Sequence, residues 1–192
     1  MISAPNTCSF KGKNFFFVAH SGFTLIELVL VFGIIFTVTG LSFAGFQDIS
    51  KVQFLKDAAL ELKSNLRYAQ NLAISGVKPA GCSGDLIGYK VAFRQYDNLY
   101  FISARCSLSD GPVKVYKLAT SVLVSELTTV RSGQPPLTNT TMDVIFTTSG
   151  FVEFYNTAGL INDVFVGYIT IYNTTNNSLT NRATITTSGG II

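Results

Sequence analysis

The sequence contains no tryptophan, and only 13% of its 192 residues are charged. Fourteen Lys and Arg face 11 Asp and Glu, a formal charge of +3, too slight for a general polyanion binder. No Gly-rich phosphate loop follows a strand, since Gly150, Gly159 and Gly167 are scattered. What is abundant is apolar: 47% of residues are hydrophobic, with 16 Phe and 8 Tyr. This composition excludes a disordered chain and a collagen-like one. The mean hydropathy is high for a soluble domain, which implies apolar material gathered in one segment.

That segment runs from Phe23 to Phe46, and Glu27 is its single charged group. As a helix it would span roughly 36 Å against a hydrocarbon core of about 30 Å, so it predicts one membrane crossing. Lys11 and Lys13 precede it, while Asp48, Lys51, Lys56 and Asp57 follow with no excess of either sign, placing the N-terminus in the cytoplasm and the remainder outside. A secretory signal cut at Ser42-Phe43-Ala44, a plain anchor and a helix buried in a soluble core are alternative readings. The secretory core would be overlong and contain an acid, and a plain anchor has no use for Glu27, because an ionised acid in hydrocarbon costs about 2.5 to 3.5 kcal/mol.

The string Ser21-Gly22-Phe23-Thr24-Leu25-Ile26-Glu27-Leu28, running straight into the apolar stretch, resembles the class III signal of type IV pilins and type II secretion pseudopilins. The resemblance implies cleavage between Gly22 and Phe23 by a prepilin peptidase, N-methylation of Phe23, and Glu27 as fifth residue of the mature chain. It implies a cleaved leader over 1–22 whose basic flank is Lys11 and Lys13, a leader longer than is usual in the family. The spacing agrees independently. Cleavage would create an amine, cationic at neutral pH, one helical turn from Glu27, and the two charges become tolerable in lipid as a pair, within one subunit or between neighbours. Thr24 either adds a hydroxyl to that contact or caps the helix.

Beyond the apolar stretch, Val52, Leu55, Ala59, Leu62, Leu66, Ala69 and Ala73 recur at steps of three and four, so an amphipathic helix continues over 47–75 until Ser75-Gly76 and Pro79 stop it. The predicted helix would be roughly 80 Å long if unbroken. Gly33, Gly40 and Gly45 either weaken it or ease packing against neighbours. The remainder, 76–192, turns to Thr, Asn, Ser and Gly, with apolar and polar residues alternating. Strands are predicted over 86–94, 99–106, 113–118, 122–127, 143–148, 151–156, 164–172 and 183–187, with a turn at 173–177. The expected fold is α+β: a long N-terminal helix, half transmembrane (23–46) and half amphipathic, packed on an exported antiparallel β-sheet domain, pilin-like. Leu60-Glu61-Leu62, the run Leu66 to Ile74, Phe146-Thr147-Thr148-Ser149-Gly150 and Thr184 to Gly190 are similar to the pseudopilin H and FimT-like minor pilin subgroup.

Cleavage after Gly22 would discard Cys8, leaving Cys82 and Cys106 as a possible disulfide in an oxidising envelope or as two free thiols. It would also discard His20, the only histidine, and with it any triad, Cys-His pair or His-ligated metal. Asp143, Glu153 and Asp163 read as solvated strand-end charges, so no enzyme, cofactor or metal is expected. Lys90, Arg94, Arg105, Lys114 and Lys117 cluster in sequence among Tyr89, Tyr96, Tyr100 and Tyr116 and are weak candidates for DNA or another ligand. Loss of Lys11 and Lys13 with the leader would, however, leave basic and acidic residues nearly balanced, which disfavours DNA.

The resulting expectation is a structural subunit at the cytoplasmic membrane and then in a pilus or pseudopilus. Its partners would be a prepilin peptidase/methyltransferase, other subunits, the inner-membrane assembly platform and, before assembly, lipid. The alternatives are a tip minor pilin that binds DNA or a surface ligand, and an anchored envelope domain that never polymerises.

Overall fold

The stripe at residues 55–73 needs a partner surface to cover it, and the computed structural model supplies one. The structure describes residues 23–192, and their side chains apart from those of 41–49 and 176–177. Leu62, Leu66, Ala69 and Ala73 are fully buried, and Leu55, Ala58 and Ala59 nearly so. The helical backbone α1 is assigned over Leu25–Ile74. Its end has a local cause: Gly76 adopts φ 66°, the Val77 N–H donates to Leu72 O at 3.3 Å, and the Gly76 N–H donates to Ala73 O at 3.1 Å. A left-handed residue closes the last turn here, which glycine does at no steric cost.

Ten strands follow: β1 (Leu86–Arg94), β2 (Leu99–Cys106), β3 (Lys114–Lys117), β4 (Val122–Arg131), β5 (Leu137–Asn139), β6 (Thr141–Thr147), β7 (Val152–Asn156), β8 (Gly159–Leu160), β9 (Val164–Asn173) and β10 (Asn176–Thr186). They form a six-stranded sheet, β3-β2-β1-β6-β7-β8, and a four-stranded sheet, β10-β9-β4-β5, with antiparallel pairing throughout.

The expected architecture is corrected on two counts. The side chains of α1 are described over 25–40 and 50–74, and no helix among the described residues is long and apolar enough to cross a membrane. The chain also divides between Ala44 and Gly45 into two compact units. Only 50–74 belongs to the unit that holds the strands. The second correction is to the sheet itself, which is two sheets sharing one core with residues 55–73.

The strand predictions differ from the structure mainly where pairing, not alternation, defines a strand. The short edge strands β5 and β8 carry too few residues to show a period. The turn expected over 173–177 is tighter, and β10 begins within it, because its polar residues pair with β9. Polar links join the sheets. Asn156 Nδ2 donates to Asn139 Oδ1 at 3.1 Å, and Asn139 Nδ2 donates to the fully buried Thr129 Oγ1 at 3.4 Å. The Val152 N–H donates to Thr187 O at 3.0 Å. The helix is tied in by Asn65 Nδ2 to Tyr100 OH at 2.6 Å, Arg67 Nη2 to Ile191 O at 3.1 Å and Gln70 Nε2 to Gly189 O at 2.9 Å.

Cys82 and Cys106 form a disulfide, with Cα atoms 5.9 Å apart. It fastens the segment after α1 to the end of β2. Leu66→Ala is expected to lower unfolding stability by about 2 to 5 kcal/mol. Gly88→Ala should be comparably damaging, because its Cβ would fall 2.1 Å from Phe146 O, a backbone atom that cannot step aside. Urea unfolding of both variants measures these losses, and wild-type-like midpoints would contradict the packing described.

Candidate assembly segment and cationic sheet face

Two groups of sequence candidates fall on described residues. The first is the N-terminal segment. Thr24 precedes α1, and its Oγ1 accepts the Glu27 N–H at 3.4 Å, while Leu28 N–H donates to Thr24 O at 3.2 Å. Thr24 is therefore the helix N-cap and Glu27 the third helical residue, where a carboxylate is favoured by the helix dipole. Of the two roles open to Thr24, the structure displays the capping one.

Within this unit, residues 23–40 are exposed on every face: Phe23 is 73% exposed, Leu25 83% and Phe36 75%. The polar groups of the stretch are turned inward on the backbone, Thr37 Oγ1 donating to Ile34 O at 2.9 Å and Thr39 Oγ1 to Ile35 O at 2.6 Å. A helix apolar all round, with its hydroxyls already satisfied, is suited to complete burial by something else. Gly33 and Gly40 have nothing within 4 Å of the point where a Cβ would stand, leaving a smooth surface there. Gly22, Lys11, Lys13, Cys8 and His20 lie outside the described residues, as do the side chains of 42–44 and the surroundings of Gly45.

The second group is the cation cluster of the β domain, which the structure separates. Alternation along β1 and β2 puts Tyr89, Val91, Phe93, Tyr100 and Ile102 into the core and Lys90, Arg94, Phe101 and Arg105 on the outer face. Tyr89 and Tyr100 are thus core residues, and burial pushes the Tyr100 phenol up to about 12. Lys114 pairs with Ile102 across β3 and lies 5.1 Å from the centre of the Tyr116 ring. A hydrogen bond from Lys114 to Tyr116 raises the lysine's pKa. Lys117 pairs with Leu99 at the sheet edge. Lys114 is therefore on the side of β3 opposite to the outer face, whereas Lys117 shares the outer face at the edge strand.

The three outer-face cations are engaged by the chain itself. Lys90 Nζ is 3.8 Å from Asp110 Oδ2. The Arg94 guanidinium lies 5.8 Å from the Phe101 ring centre, and that of Arg105 lies 4.9 Å from the Tyr155 ring centre. Tyr155 OH donates to Glu153 Oε2 at 3.1 Å. Ile145 faces outward between Lys90 and Glu153 in the strand register, yet is only 1% exposed, because long side chains cover it. Cations held by rings and carboxylates are poorly placed to neutralise phosphates.

Asp143 departs from the sequence reading. It is the third residue of β6, half-buried between Ala92 and Tyr155, and not a solvated strand-end charge. Burial raises its pKa above the ordinary value, against the lowering pull of Lys90, Arg105 and Arg94. Asp110, Phe101 and Tyr155, which complete this face, had no sequence signal as partners because their contacts are non-local. Among the described residues no group of three or more His, Cys, Asp or Glu is placed to hold a metal. Comparison with known families, with curated proteins and with solved structures finds no match to this chain.

The raised pKa means that the folded state holds the Asp143 proton more tightly than the unfolded chain does, so ionisation weakens folding. The penalty is absent below about pH 3.8, grows as pH rises from there, and is complete once pH has passed through the raised folded value. Asp143→Asn should therefore gain thermal stability over the wild type across that interval and keep the gain at neutral pH. A melting-temperature difference that does not change with pH would exclude this.

Proposed function

We propose that the chain is the precursor of a filament subunit of the type IV pilin or pseudopilin class. A prepilin peptidase cuts it between Gly22 and Phe23 and methylates Phe23, and the subunit then assembles through the segment that begins there. It acts at the cell envelope, with other subunits, an inner-membrane assembly platform and, before assembly, lipid as its partners. The role is structural, and the chain is a substrate of the peptidase rather than an enzyme.

The observation that carries this reading is the apolar surface of residues 23–40, exposed on all sides, whose one charged group is Glu27, capped by Thr24 at the helix start. A cut before Phe23 would place an ammonium beside the unpaired N–H groups of the first turn, concentrating positive charge at that end. Glu27, within the first turn of α1, supplies the compensating charge from its own or an adjacent copy. Apolar contact among copies would then cover the rest of the surface without leaving a charge unpaired. The engaged state of Lys90, Arg94 and Arg105 lends no support to DNA binding as the primary role.

The test is intact mass and N-terminal peptide mapping of the full chain produced beside a prepilin peptidase. The expected product begins at N-methylated Phe23 and is lost in Gly22→Arg. A chain that begins after Ala44, or one that stays uncut, would overturn the proposal.

A further inference from the structure

Residues 50–74 of α1 carry charge in a pattern that burial on their own domain does not explain. Lys56, Asp57, Glu61 and Arg67 are exposed and Lys63 is half-buried. At an advance of about 100° per residue, Lys56, Lys63 and Arg67 gather on one side of the buried stripe, and Asp57 and Glu61 gather on the other. The helix thus has a basic flank and an acidic flank, on either side of exposed Leu60, Ser64 and Asn71. Lys51 lies off both flanks and has an interaction of its own.

Within one copy this arrangement is unfavourable. Asp57 and Glu61 are like charges at i,i+4, as are Lys63 and Arg67, and such pairs repel on a helix surface. Among the described residues, Lys56, Asp57, Glu61 and Lys63 make no ion pair within the chain. Each flank borders a groove. One, of about 540 Å³, is lined by Leu60, Lys63, Ser64, Arg67, Asn71 and neighbours. The other, of about 260 Å³, is lined by Phe54, Asp57, Ala58, Glu61 and Ala119. Leu60 and Phe54, 63% and 55% exposed, give each groove an apolar residue beside its charges.

We infer that these flanks bind each other between copies: the acidic groove of one subunit receives the basic flank of the next, with the two helices parallel. Geometry selects the parallel arrangement. Two copies side by side and antiparallel, related by a twofold axis, would bring acid against acid or base against base, whereas parallel copies bring acid against base. The contact is heterologous, so each copy keeps one free flank to which a further copy can add. The parallel, open-ended form rests on the filament reading proposed above, but the residues that make the contact do not depend on the leader.

Zero-length carbodiimide coupling joins a carboxylate to a lysine amine only when they touch. It is applied to the full chain produced beside a prepilin peptidase, with 15N-labelled and unlabelled copies mixed so that links between chains are recognised by mass. The expected links join Asp57 or Glu61 of one chain to Lys56 or Lys63 of another. The double substitution Lys56→Glu with Lys63→Glu removes both coupling amines and makes both flanks acidic, so these links should disappear. Adding Asp57→Lys and Glu61→Lys to the same chain should restore interchain coupling, which also shows that the substituted chain folds. Links confined within single chains, no links, or a charge-swapped chain that fails to couple would overturn the inference. The N-terminus measured on the same sample separates the two ideas. Interchain links of this pattern on a chain not beginning at Phe23 uphold the flank contact and remove the filament reading. A chain that begins at Phe23 without them does the reverse.

Discussion

Burial of one helical stripe is the constraint on which the β domain depends. Leu55, Leu62, Leu66, Ala69 and Ala73 share a single core with the inner faces of both sheets. Each of those sheets has one apolar face, and the stripe joins in covering them. Removing that contact would leave apolar surface of both sheets without this cover. The alternation of small and large residues along the stripe matters as well. Ala58, Ala59, Ala69 and Ala73 let the backbone approach closely, while Leu62 and Leu66 fill the space between.

Polar contacts then fix what apolar packing leaves free. Hydrophobic burial is non-directional and would tolerate sliding of the helix along the sheets. Asn65 on Tyr100, Gln70 on Gly189 and Arg67 on Ile191 set the register. The Asn156–Asn139–Thr129 chain does the same between sheets, and the Cys82–Cys106 disulfide holds the chain leaving α1 against β2. Together these contacts fix the outer faces, including the alignment of Arg105 over Tyr155 and of Arg94 over Phe101. A cation cluster in the sequence thereby becomes a set of internally paired groups.

The N-terminal unit obeys a different logic. Among the described residues nothing of this unit covers 23–40, and the hydroxyls of Thr37 and Thr39 are satisfied on the backbone. Among these residues the only acid stands at the helix start, where the backbone dipole favours it. The β domain has a core of its own, whereas this segment's apolar surface is exposed, which is the physical basis of the assembly proposal.

Much of this was legible beforehand. The stripe at 55–73 and the alternation of β1 and β2 follow from periods of 3.6 and 2, which are local properties of the chain, and the stop at Gly76 follows from local turn chemistry. Hydropathy correctly marked where the apolar surface is concentrated, but it does not say what body a segment belongs to, and among the described residues no helix is long and apolar enough for the membrane crossing expected from it. Other features depended on contacts far apart in sequence: the division into two sheets, the short pairings of β5 and β8, the rings beneath Arg94 and Arg105, and the half-buried position of Asp143. The sequence by itself determined which residues are apolar, where each period begins and ends, and which charges exist. Only the tertiary structure decided which charges meet, because pairing across strands joins residues whose separation along the chain carries no signal.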